Sequence, residues 1–555
     1  MKKRNMRILT LVLAIFMVLP LIAACGNGDD ATPATPGDTT PTAPPATTPA
    51  APPGGGQGDI AFEAPPEDAR LAEEIRVIID NNVIGVLNPF SPAANNPPTN
   101  WVFTMIYDRL LDIDDDGNIL PELATAHHTD DYQTFRFTLR EDVYFHNGDK
   151  FTSADVYWTI HAARTYGMGS AAFDQWGPIR DINILGDYEI EFVLNEVNVD
   201  FLFGLTRPMA GIVNENAMRA NAETGTFIGT GAFSVINFLT GDYVFMQRHD
   251  NWWNTEMMPP TARMHLRFVP EMGTRAIMLQ NREVNISFGT SAEDIPLFEN
   301  DPDNWTVQPL IFNDPQGINF NMNDPITGDR NFRMAVLHAL DRVEVATVAA
   351  GVWADGDLQD GNFWGFTTEL RAPGIPFIAQ DLDRAREYLE ASVYNGEVVE
   401  IATAIVTNIR AAEVVQAQLA DVGINTVINV MDTPSLLAYV TYGNTQSQIN
   451  IIFTQLSPNA GSIRHAFYPG AAQNRSNFNN PQVTALIDEA AVTFDQARRR
   501  AIYYEIQEII AYYQPVSNLL WRINGIVFEN SVGGMILRSD LHRIDLRYMF
   551  MVLDD

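Results

Sequence analysis

Apolar and polar positions alternate with a period of two over Glu74 to Ile79 and again over Tyr132 to Leu139, the second run rich in β-formers, so both predict strands. Between them, Trp101 to Leu111 places Val102, Met105, Ile106 and Leu110 at helical spacing, which predicts a helix whose apolar stripe is core. Further on, Asn331 is suited to cap a helix with Phe332, Ala335, Val336, Ala339, Leu340 and Val343 along one face, and Gly351 stands where that helix would end. Asp381 to Leu389 reads as a capped helix. Val414, Ala417, Gln418 and Leu419 precede Gly423 and a strand at Thr426 to Val430, a helix-to-strand unit of an α/β lobe. Strands and helices interleave from Asp68 to the C-terminus with no internal repeat.

The first 66 residues follow other rules. Lys2, Lys3, Arg4 and Arg7 precede an apolar stretch from Ile8 to Ile22, then Ala23, Ala24 and Cys25. These are the parts of an export signal, residues 1–24, and the apolar run is shorter than the roughly 20 residues a membrane-spanning helix needs. From Gly26 to Pro66 the chain is Pro, Thr, Ala and Gly, with ten prolines, and Asp38 is the sole charge between Ala31 and Gly58. That composition cannot bury enough apolar surface to offset its ordering entropy, so residues 25–66 read as a linker stiffened towards polyproline II.

The folded remainder carries ample apolar material: 46% of the 555 residues are hydrophobic and 19% charged. A formal charge of −34 removes the electrostatic basis for nucleic-acid binding and for adhesion to an anionic membrane surface. Attachment to a membrane therefore needs an anchor. Cys25 is the one cysteine in the chain, which excludes an intramolecular disulfide and a thiol catalyst elsewhere.

Chemical motifs are scarce. Asp112, Asp114, Asp116 and Gly117 match the opening of a calcium-binding loop, but Leu123 replaces the bidentate glutamate and Pro121 opposes the helix that should follow. A hairpin turn at Asp116-Gly117 is the better reading, and no metal is assigned. His127 and His128 are neighbours in a strand region and would point to opposite faces, so they do not share a metal. There is no Gly-x-Ser-x-Gly elbow, no His-Glu-x-x-His and no P-loop, and Gly229-Thr230-Gly231 lacks the third glycine of a dinucleotide site. No catalytic residue and no cofactor are implied.

The order of the remaining motifs does carry information. Asn88-Pro89-Phe90, Leu120-Pro121-Glu122-Leu123-Ala124, Phe137-Thr138-Leu139-Arg140 and Phe145-His146-Asn147-Gly148 come in turn, followed by Gly229 to Phe233, Asn251-Trp252-Trp253, Asn319-Phe320-Asn321 and Ala339-Leu340-Asp341-Arg342. This series resembles family 5 extracellular solute-binding proteins, the oligopeptide, dipeptide and nickel receptors of ABC importers. Ile22-Ala23-Ala24-Cys25 likewise resembles a bacterial lipobox, which implies lipidation of Cys25 and a place at the outer face of the cytoplasmic membrane.

The resemblance implies an α/β, two-lobed fold of the type II periplasmic-binding-protein kind with an extra subdomain, its lobes joined by two hinge segments. Lobe I is expected at 67–268 plus 523–555, lobe II at 269–522. The implied function is capture of a solute in the interlobe cleft by a monomeric receptor, and delivery to the permease subunits. Ligand contacts are expected at Ile84, Gly85, Trp101, Thr230, Trp364, Ser457 and Asn459, with Trp176 and Trp353 as further aromatic faces. Peptide-binding relatives often carry an aspartate for the peptide's amino terminus where this chain has Ser457-Pro458-Asn459, and Asn459 lacks the charge-assisted component of that bond. The expected cargo is peptide-like, with an oligosaccharide or other neutral solute, or a sensor role for the same scaffold, as the alternatives.

Overall fold

The computed structural model describes residues 64–79, 86–91, 97–114, 118–166, 176–291, 293–311, 316–351, 371–453, 462–471, 473–520, 523–538 and 543–553. The export signal, Cys25 and the linker up to residue 63 lie outside the described residues, as do Ile84, Gly85, Trp353, Trp364, Ser457 and Asn459.

Glu74–Ile79 forms the strand its alternation predicts, with Ile75, Val77, Ile78 and Ile79 removed from solvent. It lies in a seven-stranded sheet, parallel to Arg263–Phe268 on one side and to Ile286–Thr290 on the other. Ile523–Glu529 runs antiparallel between Ile286–Thr290 and Trp305–Ile311, and Tyr243–Arg248 and Phe233–Leu239 complete the far side. Ile286–Thr290 and Trp305–Ile311, which follow the boundary expected at 269, pair into this same first sheet. Sequence alternation reports that a strand exists and which face is apolar, while its sheet is set by partners far along the chain.

A four-stranded antiparallel sheet of Ala124–His128, Thr134–Leu139, Glu189–Leu194 and Ile179–Gly186 adds to this half. Phe135, Phe137 and Leu139 point inward and the residues between them outward, so the sheet closes over the same core as Trp101, Trp176 and Trp252. The helix predicted from Trp101 starts earlier, at Pro97, and stops at Ile106; Leu111–Ile113 is instead a strand paired with Ile119–Pro121. Asp112 is held by Arg109 at 3.0 Å, and Asp114 accepts from the Asn118 amide at 2.7 Å, so this segment is a hairpin.

The helix stops at Ile106 because a glycine segment abuts its end. Gly231 N–H donates to the Ile106 carbonyl at 2.8 Å, and a Cβ on Gly229 would lie 2.0 Å from that oxygen. Thr230, between them, is fully buried and its hydroxyl accepts from the Asp108 amide at 3.3 Å. Gly-Thr-Gly is thus a close-approach device between chain segments.

The second sheet has five strands in the order Thr426–Val430, Val399–Thr403, Ile449–Phe453, Gln316–Phe320 and Val516–Leu520, and its own core. Gln316–Phe320 is antiparallel to its neighbours on both sides, and the other strands run one way. Asn331 is not a cap. Asp329 fills that position, accepting from the Asn331 amide at 3.1 Å, while the Asn331 side chain donates to the Ala391 carbonyl. The single helix expected from 331 towards Gly351 is two, Arg330–Ala339 and Arg342–Ala350, because the Asp341 carboxylate accepts from the Glu344 amide and starts a new helix. Val343 consequently leaves the apolar stripe and is 55% exposed. Gly351 ends the second helix at φ +82°.

Candidate ligand-binding crevice

The chain passes from the first sheet to the second between Ile311 and Gln316 and returns between Leu520 and Ile523. These two passages fix which edges of the sheets meet. In the first sheet, Trp305–Ile311 ends at the passage, and Ile286–Thr290, Glu74–Ile79 and Arg263–Phe268 run in the same sense, so their carboxyl ends lie on that edge. In the second, Val516–Leu520 ends at the passage, and Ile449–Phe453, Val399–Thr403 and Thr426–Val430 end on the same edge. Two carboxyl edges thus face the same pair of passages. Open α/β sheets bind ligands in the crevice outside their strands' carboxyl ends, where loops and helix N-termini converge.

Several expected contacts belong to segments that leave these edges. Ile84 and Gly85 follow the Glu74–Ile79 strand, and Ser457 and Asn459 follow Ile449–Phe453, although their own positions lie outside the described residues. Trp101 and Thr230 are described, and both are interior. Trp101 is 1% exposed with its ring 5.3 Å from that of Phe288, in the first core. Thr230 is occupied in the glycine contact described above. Both side chains are engaged within the first half, Trp101 against Phe288 and Thr230 with the Asp108 amide.

Residues not singled out from the sequence organise the two edges. On the first, the buried Arg275 donates Nε to the Val269 carbonyl at 2.6 Å and Nη1 to that of Gly289 at 2.7 Å, tying the end of Arg263–Phe268 to Ile286–Thr290, the two strands that flank Glu74–Ile79. On the second, Ile405 holds φ +55°, a conformation a β-branched residue adopts only under constraint, immediately before the Val406–Asp421 helix. Its Asn408 is 1% exposed, and neither amide atom is hydrogen-bonded among the described residues, an arrangement that costs roughly 1–3 kcal/mol.

A second meeting of the two halves does not lie at a chain passage. The Tyr132 and Phe494 rings stack at 4.9 Å and 19°, the Val199 amide faces the Ala491 carbonyl at 3.5 Å, and Arg499 stands 3.6 Å from Asp200. Tyr132 and Asp200 flank the four-stranded sheet, whereas Ala491 to Arg499 join the helices Pro481–Ala491 and Gln496–Tyr513 of the second half.

The aromatic and histidine motifs are internal ties. Trp252 and Trp253 both donate Nε1 to Asp108 Oδ2, at 3.3 and 2.8 Å, and Arg109 grips Glu122 with Nε and Nη2. His146 accepts from the Gly229 amide at Nδ1 and meets the Gly231 carbonyl at 2.9 Å through Nε2, which makes Nε2 the protonated nitrogen. Burial pushes its pKa down from 6.5 to about 4. The unfolded chain then binds the proton first, so stability should fall as pH drops from 6.5 towards 4. Thermal unfolding across that range should show a flatter pH slope in His146→Gln; an unchanged slope would assign the effect elsewhere.

Residues 118–477 match the model of bacterial extracellular solute-binding proteins, family 5 Middle. The chain belongs to that family. This solute-binding protein is 25% identical over 453 residues to an ABC transporter peptide-binding protein of Brucella ovis, across 76% of this chain and 82% of the relative. Its fold is shared by the ABC transporter substrate-binding protein CtaP of Listeria monocytogenes, with TM-score 0.75 and 20% identity, covering 87% of this chain and all of the other. It is shared too by DppA of Helicobacter pylori in complex with the peptide STSA, with TM-score 0.74 and 21% identity over 87% of this chain and 99% of that one. The architecture of this solute-binding protein is accordingly type II. Among its described residues no helix is long and apolar enough to cross a membrane.

Proposed function

We propose that this protein is a lipid-anchored receptor that captures a peptide in the crevice and presents it to an ABC permease. The observation that carries the reading is the pair of carboxyl edges meeting at two chain passages, which makes a hinged trap with its opening lined by loops from both halves. The halves are taken as 67–311 plus 523–555 and 316–520. The peptide-binding assignment of the Brucella relative and the peptide in the Helicobacter complex support peptide as cargo. Capture and release need no bond to be made or broken, so the receptor needs neither catalysis nor cofactor, and it is taken to act as a monomer. Ligand must bind the closed arrangement more tightly than the open one to shift the population, and the closed form is what the permease recognises.

Cys25 and the linker supply the remaining part. Acylation at Cys25 would hold the chain at the outer face of the membrane, and a proline-rich tether of about 40 residues could reach on the order of 100 Å. Native mass spectrometry of the protein from its own host should show retained masses in the peptide range. A sugar mass would reassign the cargo, and small-angle scattering that does not change between loaded and stripped protein would sink the trap. Palmitate label should enter the parent and be absent from Cys25→Ala; label persisting in the variant would remove the anchor.

A further inference from the structure

The Val406–Asp421 helix begins three residues after the carboxyl end of Val399–Thr403, on the edge that faces the first sheet. Its buried stripe is Asn408, Ala411, Ala412, Val415, Gln418 and Leu419, packed on the second sheet, and the two polar members of that stripe are treated in opposite ways. Gln418, at the far end, accepts from the Asp341 amide at 3.0 Å and donates to Glu344 at 2.7 Å and to the Asp341 carbonyl at 3.3 Å. Asn408, at the crevice end, has no hydrogen-bond partner among the described residues through either Oδ1 or Nδ2.

The helix start is equally unserved. Ile405 provides no side-chain cap, and no acidic residue occupies the first turn. Side chains on a helix lean towards its N-terminus, so Asn408, at the third helical position, leans over that uncapped turn. First-turn amides carry a partial positive charge, and with the Nδ2 group the donors here outnumber the single acceptor, Oδ1. A donor-rich site with one acceptor suits a carboxylate with a neighbouring N–H. In a chain of formal charge −34, an anionic group can be held only where such a local positive potential exists.

We infer that the first turn of this helix, with Asn408, is the subsite that takes the free carboxylate end of the cargo peptide. The inference rests on the peptide reading above and deepens it. Helix amides and Nδ2 hold the two carboxylate oxygens, and Oδ1 accepts the N–H of the terminal residue.

The test uses the full chain, stripped of cargo, and two pools of random tetrapeptides that differ in ending with a carboxylate or a carboxamide. Titration by thermal shift should show the carboxylate pool binding at least about tenfold tighter, the range of a charged hydrogen-bond set. Asn408→Asp should abolish that preference by weakening the carboxylate pool alone. Because that variant places a charge in a buried position, Thr407→Asp serves as the second: a carboxylate in the first turn stabilises the helix yet competes with the cargo. It should raise the unliganded midpoint and cost the same preference. Equal binding of both pools by the parent, or a preference unaltered in Thr407→Asp, overturns the subsite and leaves the peptide receptor standing. Binding of neither pool overturns both.

Discussion

An Arg499→Glu variant is expected to bind its cargo roughly thirtyfold more weakly than the parent, about 2 kcal/mol, with little change in unliganded unfolding. Arg499 and Asp200 are each less than one-fifth exposed and 3.6 Å apart, across the side-chain contact between the two halves. At an effective dielectric near 20, unit charges at this separation attract by about 4 kcal/mol, from which desolvation and side-chain ordering subtract. The pair forms only where the halves meet, so reversing one charge penalises the closed arrangement and leaves each half intact. Ligand affinity then falls because part of the binding energy is spent on closure. Calorimetry with the cargo identified by mass spectrometry measures the effect, and Asp200→Arg in the Arg499→Glu background should recover part of it. Unchanged affinity would mean that this contact has no share in closing.

The second large effect concerns the first half alone. Gly229→Ala should lower stability by about 3 kcal/mol, the upper end for overpacking, because the new methyl would lie 2.0 Å from the Ile106 carbonyl and 2.7 Å from the Tyr107 ring. Neither a backbone oxygen nor a fully packed ring has room to yield. Displacing the segment would also disturb the Gly229 amide that His146 accepts and the His146 amide that the Gly229 carbonyl accepts. Gly273→Ala is the control, since a Cβ there meets nothing within 4 Å, and it should cost nothing. Equal unfolding midpoints for the two variants would show that the glycine contact relaxes freely.

Much of the architecture is legible from local pattern. Glu74–Ile79 and Thr426–Val430 form the strands that their sequences predict, and Asp381 caps Leu382–Glu390 through the Arg384 amide. Each is a property of a few consecutive residues: alternation for a half-buried strand, a short acceptor before a helix. The errors arise where two local signals compete. Asn331 and Asp329 are both good caps, and only the chain path, with Asn331 reaching Ala391, decides between them. Asp341 lies within an apolar period that would continue a helix, and its capping bond ends that period.

The site divides in the same way. Family membership follows from the order of short motifs, yet those motifs, Trp252 with Trp253 and His146 with Gly229, are internal ties of the first half. Residues at the crevice carry weaker local signals. Asn408 is an ordinary polar residue in a helix until its neighbours are known, because an unmade hydrogen bond is a property of everything around it. Arg275 likewise becomes a tie only when Val269 and Gly289 are brought beside it.

The sequence alone determined that an acidic α/β chain follows a proline-rich segment, and much of the order of its strands and helices. These follow from composition and from periods of two and 3.6, which act within a dozen residues. Tertiary structure decided that Ile286–Thr290 and Trp305–Ile311 remain in the first sheet, that the carboxyl edges of both sheets lie at the same pair of chain passages, and that Tyr132 meets Phe494. Those outcomes depend on pairing between segments hundreds of residues apart, where geometry and desolvation choose among partners that local pattern leaves equivalent.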